Sequence, residues 1–341
     1  MRFFKLALGL VTVSGAFALA ACGSSSSGSS SGDGGGSTTS NEGGSASTSS
    51  NNGGSTASTK HACTLASCKT PDLDCFGLVD NKGASKFDLR MSQLNVSKPS
   101  VLSTGVVATI VSSGVSPSEL SCSDQIKGQA TFNWLLQFDT DAKTLRTGGA
   151  RPVTDPGAGY AFIHNEMIEG INVTDITYTG VNIGSDGKFA ITTGTDLVVP
   201  IFVSATDTMP VLLPLKAARL TKGVVSASHN CIGKYNGDAL KAGGCVTDAQ
   251  NEAYVNGASL DGYITLEDAD TVPIATLKES LCVLLGGDND GNTTEKKCVR
   301  DSNNKITYKG DWCSTTNTAG GCQDSVSLAA DFAAASVTIT N

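Results

Sequence analysis

Between Ala130 and Phe138 the chain alternates with the period of an extended strand. Phe132, Trp134, Leu136 and Phe138 fall on one face, and Thr131, Asn133 and Gln137 fall on the other. Leu135 alone breaks the pattern. Asp139-Thr140-Asp141 then supplies turn chemistry, and Thr144 to Arg146 begins a return strand. A hairpin with one fully apolar face has to bury that face, so this segment is expected in the middle of a sheet around which the other strands assemble.

Further strands are expected on both sides of it. Phe87, Leu89 and Met91 alternate with polar residues, and Val106 to Val111 is a short β-branched run. Ile171 to Val181 and Lys188 to Thr192 flank the turn sequence Gly184-Ser185-Asp186-Gly187. Leu197 to Val203 is a continuous apolar run in which Pro200 requires an edge or a bulge. Strand patterns recur around Ile264, Ile306 and Ser325 to Thr340, at intervals of roughly ten to fifteen residues, as in antiparallel all-β domains. One segment has helical spacing. Ile274, Leu277, Leu281, Leu284 and Leu285 lie between Pro273 and Gly286-Gly287, which predicts one short helix near 273–285. The expected fold class is therefore mainly β, an antiparallel β-sandwich or jelly roll.

The chain has eleven cysteines. Local pairing predicts Cys231 with Cys245, Cys282 with Cys298 and Cys313 with Cys322, leaving Cys63, Cys68, Cys75 and Cys122 to pair among themselves. The close set Cys63, Cys68, Cys75 lacks the two C-x₂₋₄-C pairs of a zinc site, so it reads as disulfide rather than metal. These ten are an even number. Cys22 is the odd one.

Cys22 stands in a particular place. Arg2 and Lys5 precede a run from Leu6 to Leu19 that is almost wholly apolar, and Ala20-Ala21 ends it, which is the plan of a secretory signal peptide over residues 1–21. Leu19-Ala20-Ala21-Cys22 resembles the lipobox of bacterial lipoproteins, in which the signal is cut before the cysteine and that cysteine is acylated. The resemblance implies a lipidated Cys22, and removing Cys22 from the thiol pool leaves ten cysteines able to pair completely in an oxidising compartment. Two or three acyl chains exceed the single chain that binds membranes only marginally. Gly23 stands where the family uses Asp for inner-membrane retention, so the resemblance implies an outer-membrane location, lipid-anchored, on the periplasmic or cell-surface side.

From Gly23 to about Lys60 the chain is Gly, Ser, Thr, Asn and Ala with two charges, Asp33 and Glu42. Such a segment cannot bury enough apolar surface to offset its ordering entropy, so residues 22–60 read as a lipidated cysteine and a disordered tether. As a flexible coil the tether has an r.m.s. reach of about 34 Å and a contour of roughly 130 Å. Residues 61–341 then form the disulfide-bonded domain.

Function is far less legible. The formal charge of −8 becomes −10 once Arg2 and Lys5 leave with the signal, which argues against a nucleic-acid partner. Three histidines, His61, His164 and His229, and no H-E-x-x-H, G-x-S-x-G, Walker A or dinucleotide fingerprint leave no catalytic or metal motif to name and no cofactor to assign. His229, beside Asn230-Cys231, reads as a turn residue. Glu166, Glu169, Glu267, Asp268 and Asp270 could supply a carboxylate pair for glycoside hydrolysis, but they read more simply as solvated and helix-start acids. Asp288-Asn289-Asp290-Gly291-Asn292 with Glu295 has calcium-type oxygen donors out of EF-hand register. Trp312, next to Cys313, is the exposed aromatic suited to stacking on a ligand. The expectation is a membrane-anchored binding or adhesion module for a glycan or envelope component, with a carboxylate-dependent hydrolase or a ligand-free structural protein as alternatives.

Overall fold

The computed structural model describes residues 77–103, 130–202, 204, 206, 209–235, 254–275, 277–317 and 321–341. The strands in chain order are β1 (Lys86–Lys98), β2 (Asn133–Asp139), β3 (Thr144–Ala150), β4 (Glu166–Ile168), β5 (Ile171–Val173), β6 (Ile176–Thr179), β7 (Lys188–Ile201) and β8 (Val211–Val224). They continue with β9 (Cys231–Ile232), β10 (Lys234–Tyr235), β11 (Tyr254–Val255), β12 (Ala258–Thr265), β13 (Pro273–Ile274), β14 (Glu279–Ser280) and β15 (Ser325–Ser336). Cys22, the 22–60 tether, Cys63, Cys68, Cys75, Cys122, Cys245 and the Val106–Val111 run lie outside the described residues.

The fold is mainly β and antiparallel, as expected. Eight strands run in the order β6-β3-β2-β1-β15-β12-β8-β7, with β9 added against β15, and the sheet curls into a nearly closed barrel. Opposite walls of this one sheet face each other as the two layers of a sandwich would. The predicted hairpin is β2 and β3, in register from Asn133↔Ala150 to Asp139↔Thr144. β7 is an edge strand, which accommodates Pro200, and its pairing with β8 shifts register three times between Phe189 and Leu197 before running regularly through Pro200↔Leu212.

Alternation explains which way each wall faces. Phe132, Trp134, Leu136 and Phe138 all point into the main core, joined there by Phe87, Leu89 and Met91 of β1. Leu135 faces outward yet is fully buried, because Tyr160, Phe162 and Val337 cover that face in a second small core. One end of the barrel is filled by aromatic rings. Phe87 stacks on Phe138 with centroids 5.0 Å apart, and Phe138 meets Phe189 edge to face at 5.2 Å.

The helix expected near 273–285 is corrected to a single turn, Leu281–Leu284, N-capped by Ser280. The rest of that span is the β13–β14 hairpin, because Lys278 takes a positive φ of 53° and Ser280 N–H donates to Lys296 O at 2.8 Å. A second helix, Leu266–Thr271, starts directly after β12, with the Thr265 hydroxyl accepting from Asp268 N–H at 3.1 Å. Cys282–Cys298 and Cys313–Cys322 are disulfides, as expected from proximity. Cys231 is also disulfide-bonded.

Candidate functional site

Above the aromatic floor the barrel walls carry smaller side chains, and they do not meet across the interior. Met91, Leu94 and Val96 of β1, Leu197 and Val199 of β7, Leu213 and Leu215 of β8, and Leu328 and Ala330 of β15 surround a chamber of about 520 Å³. Trp134 and Leu136 complete the wall, with Phe332 and Tyr178 toward the floor. An eight-stranded barrel is at the size where side chains either fill the interior or leave room for one small ligand. Here the placement of Phe at the floor and of Ala218 and Ala330 in the wall decides for the second.

The far side of the chamber is bounded by Pro273, Ile274 and Ala275 of the β13–β14 hairpin and by Leu281 and Leu284 of the one-turn helix. Two anchors hold this cap. The Cys282–Cys298 disulfide ties the helix to the following segment. Buried Asp270 accepts from Ser280 Oγ and Cys298 N–H, both at 2.8 Å, and from Arg300 Nη2 at 2.9 Å.

Polar chemistry inside the chamber is already satisfied. The buried Thr147 hydroxyl donates to Leu135 O at 2.7 Å, and Tyr178 Oη lies 3.4 Å from Ala218 O. Burial pushes the Tyr178 phenol up, so it stays neutral. Among the described residues, charge reaches the chamber only through Glu169 and Arg219, both exposed. An interior of this kind excludes water from an apolar ligand and offers little to a polar one.

Comparison with family models, curated proteins and solved structures finds no match to this chain. The chamber therefore has to speak through its own chemistry.

Of the carboxylates singled out in the sequence, Glu267 and Asp270 meet, but on a shared Arg300 guanidinium that both engage, at 2.8 Å through Nη1 and 2.9 Å through Nη2. Glu166 pairs with Arg151, and Asp268 with Lys216 at 3.5 Å. Glu169 sits in the β4–β5 turn with a φ of 50°. In the calcium-like loop the side-chain oxygens serve the turn itself: Asn289 accepts from Gly291 N–H, and Asp290 from Asn292 N–H. Trp312 is exposed, paired through its backbone with Ser325, and stands apart from the chamber walls. His229 is a turn residue as expected, with its ring stacked on Phe87.

Two features escaped sequence reasoning. One is the chamber, which depends on contacts among strands far apart in the chain. The other is a surface cluster in which Asp175 takes Arg146 Nε and His164 Nδ1, each at 2.6 Å. Burial pushes the Asp175 carboxyl up, but hydrogen bonds from Arg146 and His164 outweigh it and hold the group below its ordinary range. No strand or helix pattern signals such a pair.

Proposed function

We propose that this chain is a membrane-anchored bacterial lipoprotein whose barrel binds the apolar portion of an amphiphile. The observation that carries the reading is the chamber of about 520 Å³ walled by aliphatic and aromatic side chains. That volume lies within the range of roughly 300–1,000 Å³ typical of ligand pockets. Each methylene transferred from water contributes about 0.8 kcal/mol, so a dozen give about 10 kcal/mol. An association cost of roughly 4 kcal/mol or more leaves a Kd of about tens of micromolar or weaker for a simple chain. The expected glycan partner is replaced in this reading by a lipid-like one, because the polar groups that orient a sugar are not what the chamber presents.

The anchor rests on Leu19-Ala20-Ala21-Cys22 and on cysteine parity. Export is supported by the disulfide-bonded state of every described cysteine: Cys231, Cys282, Cys298, Cys313 and Cys322. No helix among the described residues is long and apolar enough to cross a membrane, so a lipid at Cys22 supplies an attachment that these helices do not.

The test uses Trp134, which is buried in the chamber wall. Titrating the mature chain with a brominated fatty acid is expected to quench Trp134 emission saturably, and Trp134→Phe is expected to remove the saturable component. Quenching confined to exposed Trp312, or none that saturates, would overturn the reading.

A further inference from the structure

Four of the seven large apolar side chains exposed among the described residues belong to the turns around one end of the barrel. They are Met167 at 65% exposure, Met209 at 54%, Leu277 at 42% and Ile171 at 37%. Each belongs to, or directly flanks, a connection with a residue that lines the chamber. Met167 of β4 and Ile171 of β5 stand on opposite faces of the hairpin, on either side of the turn that carries Glu169, a chamber residue. Met209 lines the chamber itself. Leu277 N–H donates to Ile274 O at 2.9 Å, closing the β13–β14 turn whose Ile274 and Ala275 line the chamber. An isolated exposed apolar residue means little, but four gathered at the mouth of an apolar chamber mark an interaction site.

We infer that this rim seats on a lipid bilayer, with Met167, Ile171, Met209 and Leu277 inserted at the headgroup level and the chamber opening toward the acyl chains. The inference rests on the apolar-ligand reading above and names where the ligand comes from: the membrane itself. Three arguments select a bilayer as the occupant. The rim residues sit on three separate turns, two of them offering unbranched, adaptable methionines, and this suits a fluid surface. Among the described residues, Glu169 and Lys278 beside these turns and Arg219 on the β8 wall are of both signs, so attraction comes from apolar insertion rather than from anionic lipid. Finally, the expected tether from Gly23 to about Lys60, with a reach of about 34 Å and a contour of roughly 130 Å, is long enough to let the barrel lie on the same bilayer that holds Cys22.

The test uses the full mature chain with Cys22→Ser, so that no acyl group can carry it to vesicles. In 0.5 M salt this chain is expected to float with vesicles of pure phosphatidylcholine. The triple variant M167S/I171S/L277S is expected to lower the vesicle-bound fraction by roughly ten-fold or more. V224S/V255S, which alters the exposed valines away from the chamber, is expected to float like its parent. Saturable Trp134 quenching by brominated fatty acid is measured on every variant and reports folding and chamber function separately.

A parent chain that stays with the free protein while Trp134 quenching persists overturns the docking inference and leaves the ligand reading standing. Flotation without saturable Trp134 quenching overturns the ligand reading, and with it the chamber's part in the inference, and leaves only the rim's contact with the bilayer standing. Capture by anionic vesicles alone, or a triple variant that floats as well as its parent, also overturns the inference.

Discussion

Gly149 on β3 and Pro200 on β7 meet where the two ends of the curled sheet approach: a Cβ on Gly149 would lie 2.7 Å from Pro200 Cδ and closer still to Cγ. Pro200 has no N–H to offer a neighbouring strand, so the seam is closed by packing rather than by a hydrogen-bond ladder. Gly149→Val forces the two edges apart and is expected to cost about 1–3 kcal/mol, in line with other overpacked sites. Urea denaturation of the variant checks this, and a midpoint equal to the parent's would mean that the seam gives way freely.

Ala330 is the place to close the chamber without disturbing the floor. It is buried in the β15 wall, and it faces the chamber beside Leu328 and Phe332. Ala330→Phe projects a ring into space that the wall leaves open. Overpacking is therefore expected to cost no more than about 1 kcal/mol, while affinity for a brominated fatty acid falls by roughly ten-fold or more. Binding at parental strength with unchanged stability would argue that the ligand lies elsewhere.

How far the chain announces all this depends on the range of the contacts involved. The β2 face was readable because its four inward residues lie within seven positions. Leu135 looked like a flaw because its cover, Tyr160, Phe162 and Val337, arrives from distant segments. The 273–285 span carried helical spacing, since Ile274, Leu281, Leu284 and Leu285 all pack toward the core. Its backbone nonetheless reverses at Lys278 and pairs with Lys296, a partner that no local period can show. The chamber is hardest of all to read. It arises where residues from eight strands of the barrel stop short of one another, and sequence pattern marks what is apolar but not what fails to meet.

The cap over the chamber is expected to depend on its disulfide. Cys282 and Cys298 are separated by 16 positions, a loop whose closure contributes about 3 kcal/mol in the chain-entropy model. Leu281 and Leu284 line the chamber on either side of Cys282. C282S/C298S is therefore expected to lose both stability, by about 2–3 kcal/mol, and fatty-acid affinity. C313S/C322S, whose loop lies outside the chamber walls, is expected to lose stability while retaining affinity in the folded fraction. Equal affinity losses in the two variants would show that the cap has no special part in binding.

Asp324 gives the domain an acid-sensitive loop. Its carboxylate accepts from Ser314 N–H and Ser314 Oγ, each at 2.7 Å, and from Asn317 Nδ2 and Ser325 Oγ, each at 3.0 Å. Partial burial pushes its pKa up, yet these four donors outweigh that effect and bring it down to about 2. A carboxylate whose pKa is lower folded than unfolded stabilises the fold above its unfolded pKa, near 3.8. That contribution drains away as the pH falls from about 4 through 2. Allowing for solvent screening at a partly exposed site, it amounts to about 1–2 kcal/mol. Asp324→Asn is thus expected to be less stable than the parent by about that much at pH 7. The two stability curves are expected to converge at acid pH, as protonation removes the same charge from the parent. Denaturant titrations from pH 7 down to pH 2 measure the gap directly, and a gap that stayed constant over this range would assign the loss to shape rather than to charge.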